Sequence, residues 1–495
     1  MGSVRRRGEK RRGFCRVCLG AVGVSGDRRP ERRLEWQRFS GGTPRSHESD
    51  ANGEMWIGPA RAMLQIAGVK SARLDGQIVD LHARTCFPGR IEWSRGRIRR
   101  IVRDERVKER RLIMPGFVDA HIHIESSLLP PAEFARLAVV HGTVATVSDP
   151  HEIANVLGTR GVEFMIADGR RTPLKFNFGA PSCVPATTFE TAGATLDANA
   201  VSRLLAHQDV RYLAEVMNFP GVLNGDPALR TMMDVAKKLG KAIDGHAPGL
   251  RGEAARAYAA AGPSTDHECF TLDEARDKLA VGMKILVREG SAARNFDALA
   301  PLLKTHPERV MFCCDDLHPD LLVGGHIDRH IRRALATGAN RFDVLRCASV
   351  NPVEHYALDV GLLREGDPAD FVVVDGWKKF RVLRTYLRGE LVAANGRTRL
   401  KRLPSKTPNQ FRAQPRKPEE FALSATNGAA KVNVIEALNG QLITRQTWEI
   451  PTVVRGRLVA DPKRDLLKIV VVNRYASRAP IARAFIKGIG LKAGA

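Results

Sequence analysis

Met114-Pro-Gly-Phe-Val-Asp-Ala-His-Ile-His-Ile-Glu125 is the stretch on which the reading of this chain turns. An apolar run containing Leu112, Ile113, Phe117 and Val118 leads into His121-Ile122-His123. In a β-strand, residues i and i+2 point to one face. Both imidazoles therefore project together from one strand end, which suits two ligands on one divalent metal. Taken alone, His-x-His reads as readily as two polar residues at an exposed strand end, so the rest of the chain decides.

Working outward, short apolar runs alternate with helix-like segments. The runs are Leu112–Ala120, Val144–Ser148, Leu174–Gly179, Val210–Val216, Ala242–Asp244, Ser264–Asp266, Met283–Val287 and Arg309–Cys313. Helical patterns between them include Pro131–Val140, Ile153–Ala167, Pro227–Leu239 and Leu272–Ala280. Alternation of this kind implies a parallel sheet, and its length suits an α/β fold of the (β/α)8 TIM-barrel type. The strand ends carry His121 and His123, Asp149-Pro-His-Glu152, Ser182-Cys183, Glu215, His246, His267-Glu268, Arg288-Glu289 and Asp315-Asp316. Barrel active sites lie at these ends, and metal-compatible residues at five of them favour the ligand reading. Each has a competing reading: Glu215 as a surface carboxylate, His267 as a core histidine, His151-Glu152 as a helix start. His326 and His330, spaced i, i+4, read as surface or lid residues.

The flanks read as β structure. Gln77–Leu81, Arg90–Trp93 and Ile98–Val102 precede the barrel, with turns at Gly89 and Ser94-Arg-Gly96; Phe371–Val374, Val382–Leu387 and Glu390–Ala394 follow it. Together they predict a small β-sandwich domain built from 55–110 and 361–400, enclosing a barrel over 111–360. Residues 401–420 read as a polar, Pro-containing linker. Within 421–495, Val432–Leu438, Thr452–Leu458, Leu467–Val472 and Ile481–Ile486 predict a further domain.

The chain of 495 residues carries a formal charge of +24. Residues 1–54 hold 13 Lys and Arg against 7 Asp and Glu, residues 376–495 hold 25 against 7, and the middle balances at 40 each. A neutral body thus carries basic ends; 1–54 reads as a disordered basic leader, its charge serving solubility rather than nucleic-acid binding. Eight cysteines form no disulfide framework: Cys313-Cys314 are adjacent, and Cys15-Arg-Val-Cys18 has no second pair. A reducing, cytoplasmic setting is expected. No run of about 18 apolar residues predicts a membrane span.

The motifs as a set resemble the amidohydrolase superfamily, and within it the bacterial-type adenine deaminase family. The resemblance rests on Pro115-Gly-Phe-Val-Asp-Ala-His-Ile-His-Ile-Glu-Ser-Ser127, Asp149-Pro-His-Glu-Ile-Ala-Asn155, Pro181-Ser-Cys-Val-Pro-Ala186, Asp244-Gly-His-Ala-Pro248, Thr265-Asp-His-Glu268 and Asp315-Asp-Leu-His-Pro319. It implies conversion of adenine to hypoxanthine and ammonia through a hydroxide shared by two divalent metals, Mn²⁺ or Fe²⁺. His121 and His123 would hold the first metal, Glu215 would bridge, and His246 and His267 would hold the second. Asp315 would complete the first site and shuttle the proton, with Asp316 as the alternative for that role. Glu125, His151 or Glu152 would protonate the ring; Ser182, Cys183 and Asp316 would line the substrate pocket. The resemblance also implies a homo-oligomer, and a C-terminal α+β domain (421–495) that is incomplete relative to the family. Two further readings stay open: hydrolysis of another cyclic amide or amine, and an inactive metal-binding protein whose basic ends bind nucleic acid.

Overall fold

The computed structural model describes residues 71–491 apart from 188, 410, 426–430 and 440–442; the expected basic leader, and residues 55–70 of the β domain, lie outside the described residues. The barrel strands are Phe117–His123, Thr143–Ser148, Lys175–Ala180, Val210–Val216, Ala242–Gly245, Thr265–Asp266, Lys284–Arg288 and Val310–Cys313, the last continued by Asp315–Asp316. The ladders between them are parallel. Strands five and six are joined through Ser264 N donating to Ile243 O at 2.8 Å. Closure comes from Asp315 pairing with Ile122 and Asp316 with His123. Buried side chains of the strands and of the helices around them join in one core, including Val118, Ala145, Phe178, Leu213, Ile285 and Phe312.

The helices form where the pattern supports them. Pro227–Lys238 starts after Asp226, whose carboxylate accepts from the amides of Ala228 and Leu229 at 2.8 and 3.2 Å. That cap satisfies two of the free N–H groups of the first turn, and Pro at the first position lacks one to satisfy. Leu229, Met232, Met233 and Ala236 are buried, the i, i+3, i+4, i+7 stripe of a helix lying on a sheet.

Several sequence expectations are redrawn. The run Leu112–Ala120 is two strands: Leu112–Pro115 belongs to the small β sheet, between Ala72–Asp80 and Phe371–Val374, and the barrel begins at Phe117. Gly116 is the break. A Cβ there would lie 2.2 Å from Val144 Cγ1, so only glycine lets the chain pass that close. The helix expected over Ile153–Ala167 is split into His151–Leu157 and Thr159–Gly169 by Gly158 at φ +64. Gly89 is not a turn but sits within Thr85–Ser94, paired with Gly76. Thr452–Leu458 is a hairpin of Thr452–Val454 and Arg457–Val459, turned at Arg455 and Gly456 with φ +50 and +71, the left-handed pair of a two-residue hairpin turn. Thr444–Glu449 is an additional strand; its polar composition hid it.

The small domain is one eight-stranded sheet drawn from both flanks. Trp93 and Tyr386 lie on strands four places apart in that sheet, which on a flat sheet would be about 19 Å. Their rings are 5.7 Å apart. The sheet therefore folds over its own core of Ile78, Ile91, Trp93, Phe371, Val373 and Tyr386.

Candidate metal centre

Asp119, His121 and His123 lie at the end of the first barrel strand, all of them buried. Nε2 of His121 and Nε2 of His123 are 3.1 Å apart. Strand eight brings in Asp315, whose backbone lies beside Ile122, between the two histidines. Its φ is +58, an unfavourable value for a residue with a side chain. In that conformation Oδ1 stands 3.0 Å from His123 Nε2 and 3.5 Å from His121 Nε2.

Glu215, at the end of strand four, spans the second half of the cluster. Its Oε1 is 3.4 Å from His123 Nε2, and its Oε2 is 3.1 Å from His267 Nε2 and 2.5 Å from His246 Nδ1. His121 and His267 stack at 4.2 Å between centroids. All six residues expected as metal ligands are thus within one cluster, buried except for half-buried His246.

Charges in this cluster control one another. Burial pushes the Glu215 carboxyl up, but the charge of His246 and the imidazoles of His151 and His267 beside it hold it well below the usual range. Burial likewise raises Asp315; Arg288, His121 and His123 bring it well down. His246 is pushed to about 9, because Glu268 and Glu215 outweigh the burial that opposes its charge. Burial and the nearby charge of Glu152 raise Glu125 to about 8.

The cluster fits a divalent cation. His267 Nε2 is buried and makes no hydrogen bond, while His121 and His123 turn nitrogen to nitrogen. Unsatisfied buried nitrogens cost free energy. A cation among these imidazoles and carboxylates would satisfy them, and the donors are nitrogen and oxygen without thiolate.

The remaining candidates separate by position. His151 opens the helix His151–Leu157 without capping it; its Nδ1 is 3.1 Å from Asp149 Oδ2 and 3.3 Å from Glu215 Oε1. Glu152 Oε2 is 3.3 Å from His123 Nδ1. Glu125 accepts from the Ile153 amide at 3.2 Å, and its Oε2 is buried without a partner. Asp316 does not join the histidines; Ser126 Oγ donates to it. Ser182 Oγ donates to the carbonyl of Glu215 at 2.6 Å, and Cys183 Sγ lies 3.2 Å from that hydroxyl.

His326 and His330, expected on a surface or lid, are fully buried. His326 Nε2 is 2.8 Å from Asp119 Oδ2 and its Nδ1 is 2.6 Å from Thr143 Oγ1. Asp119 Oδ1 in turn accepts from the amides of His121 and Cys314 at 3.3 and 3.1 Å. This network ties the His-x-His strand to the chain just before Asp315. Sequence reasoning missed it because i, i+4 histidines look alike on a buried or an exposed face. It also gave no role to Arg288, which lies buried against Glu268 and Asp315.

A parallel eight-stranded barrel with buried His, Asp and Glu side chains converging at its strand ends defines a metal-dependent hydrolase of the amidohydrolase class, and residues 112–392 match the amidohydrolase family. Residues 441–495 match the adenine deaminase C-terminal domain. The chain is 55% identical over 425 residues to an adenine deaminase of Salinibacter ruber, covering 86% of this chain and 77% of that protein. It is 52% identical over 429 residues to an adenine deaminase of Methanosarcina acetivorans, covering 85% and 77%. The chain belongs to the adenine deaminase family. Among solved structures it is similar to a β-aspartyl dipeptidase of Fervidobacterium islandicum, at 14% identity and a TM-score of 0.49, over 67% of this chain and all of that one.

Proposed function

We propose that the chain is an adenine aminohydrolase that converts adenine and water to hypoxanthine and ammonia. The observation that carries this reading is the convergence of His121, His123, Glu215, His246, His267 and Asp315 in one cluster at the strand ends. Its relatives' substrate supplies the ligand. In this reading His121, His123 and Asp315 would hold one divalent ion and His246 and His267 a second, with Glu215 placed between the two sets. The nitrogen and oxygen donor set suits manganese or iron at least as well as zinc, and the family resemblance points to manganese or iron. A divalent ion held there lowers the pKa of water to about 7 and so supplies a nucleophile at neutral pH.

Residues of the chain do the rest. Asp315 accepts the proton of the attacking water and passes it to the departing amino group. C6 becomes tetrahedral as oxygen adds, and ring N1 takes a proton. Glu125, His151 and Glu152 stand together beside His123 and are the groups for that transfer. Loss of the C6–N bond releases ammonia; the C6 hydroxyl proton restores the group that protonated N1, and C6 is left doubly bonded to oxygen. Ser182, Cys183 and Asp316 form the wall of the adenine pocket. In this reading the chemistry lies within 121–315, in the barrel between the two flanks of the β domain.

Among the described residues no helix is long and apolar enough to cross a membrane. We read the protein as a cytoplasmic homo-oligomer acting on a free base. The test is adenine turnover by protein loaded with Mn²⁺ under reducing conditions, followed by ultraviolet absorbance. Hypoxanthine formation is expected. Bound metal without adenine turnover, accompanied by turnover of another cyclic amide or amine, would replace the substrate assignment.

A further inference from the structure

Arg288 ends the strand Lys284–Arg288 and is fully buried. Its Nη1 donates to Glu268 Oε1 and to Asp315 Oδ2. These carboxylates belong to different halves of the cluster. Asp315 faces His121 and His123 with its other oxygen. Glu268 Oε1 lies 3.5 Å from His267 Nε2 and 3.8 Å from His246 Nδ1. Glu268 is therefore within reach of any cation that His246 and His267 hold, and a buried anionic oxygen at that distance is a good ligand for a hard cation.

The arginine is held in place from behind. Its amide donates to Asn295 Oδ1 at 2.7 Å, and Asn295 N donates to its carbonyl at 3.1 Å. Asn295 Nδ2 also donates to the carbonyl of His267 at 3.1 Å. The backbone of Arg288 is thus fixed relative to His267, the histidine beside Glu268.

We propose that Arg288 is a positioning residue: it engages Glu268 so that this carboxylate stays off the metal centre, and engages Asp315 Oδ2 so that only Oδ1 faces His121 and His123. The inference rests on the deaminase reading for its turnover arm. Its binding arm stands without that reading. With Arg288 in place, the centre keeps the six ligands named above. Without it, Glu268 becomes a seventh and Asp315 can rotate.

The test compares the parent with Arg288→Met, Glu268→Gln and the double variant, measuring Mn²⁺ binding by titration with detection of free Mn²⁺, and adenine turnover. Arg288→Met is expected to bind Mn²⁺ at least about tenfold more tightly and to lose roughly 100-fold in kcat with little change in KM. The double variant is expected to return to parental Mn²⁺ affinity and to recover about tenfold in kcat. Arg288→Met with parental Mn²⁺ affinity, or a double variant that keeps the tight binding, would overturn the proposal. If Arg288→Met does not fold, Glu268→Gln decides: unchanged Mn²⁺ affinity supports a withheld carboxylate, and a tenfold or greater loss makes Glu268 a ligand and sinks the idea. A parent that binds Mn²⁺ but does not deaminate adenine would overturn the function and leave the binding arm readable.

Discussion

The barrel and the C-terminal sheets are built from similar apolar fractions of sequence, yet they bury them differently. The barrel closes over a continuous core that reaches every strand but the short polar Thr265–Asp266. Across the described residues after 420, the core reduces to Val434, Leu458, Leu466 and Phe485 with a few half-buried neighbours. Trp448, Ile450, Val453, Val454, Val471 and Ile489 are exposed there. Closure explains the contrast: a closed sheet has an inside for every strand, whereas an open sheet needs a second layer. The lesson for function is that precise ligand placement requires the rigid region, and all six proposed ligands come from barrel strand ends.

The sharpest way to break this comparison is at the cluster. Asp315→Asn keeps the shape and removes the proton acceptor, so kcat for adenine should fall by roughly 10²–10⁴-fold while the melting temperature holds. Ultraviolet assay of adenine loss checks it; activity within tenfold of the parent would take the proton shuttle away from Asp315. Next in size is the seam between the small sheet and the barrel. Gly116→Ala puts a methyl 2.2 to 2.9 Å from the three outer carbons of Val144. A β-branched side chain cannot swing clear, so unfolding free energy should drop by about 1–3 kcal/mol, measured by denaturant titration. Adding Val144→Ala should recover part of that loss.

Much of this was legible in residues whose spacing repeats. The eight strand runs and the histidines at their ends carried the barrel and the proposed ligands. Phe371–Val374, Val382–Leu387 and Glu390–Ala394 form as read, because β-branched runs between left-handed turns at Arg388-Gly389 and Asn395-Gly396 have one solution. What stayed hidden depends on contacts between distant segments. Gly116 looks like any loop glycine until Val144 is placed against it. Asp315 and Asp316 are adjacent and chemically equal in sequence; only the left-handed backbone at Asp315 and the hydroxyl of Ser126 separate them. The Asp119–His326 pair joins residues more than 200 positions apart, and no local pattern announces it.

Buried His330 gives a smaller, pH-dependent contrast. Burial holds its imidazole down to about 4, with Arg329 adding to the effect and Asp119 opposing it. An unfolded histidine titrates near 6.5. The folded state therefore resists protonation that the unfolded state accepts, and between those values the unfolded chain binds more protons. Stability from this group is complete above about pH 6.5 and is lost as pH falls toward 4, at up to roughly 1.4 kcal/mol per pH unit. His330→Gln should flatten that part of the stability profile relative to the parent. Parallel profiles for the two proteins would show that His330 is protonated in the fold.

The smallest effect is expected where the comparison predicts tolerance. Trp448 is 60% exposed on Thr444–Glu449, an edge strand of the C-terminal four-stranded sheet. With most of its ring in water, Trp448→Gln removes little packing, and a change of about 0.5 kcal/mol or less is expected. Adenine turnover should stay within about twofold, since 0.4 kcal/mol corresponds to that ratio. A drop in kcat of tenfold or more with unchanged melting would mean that this sheet reaches the strand-end cluster and helps to shape it. The division between a chemical barrel and a loosely packed C-terminal region would then have to be redrawn around Trp448.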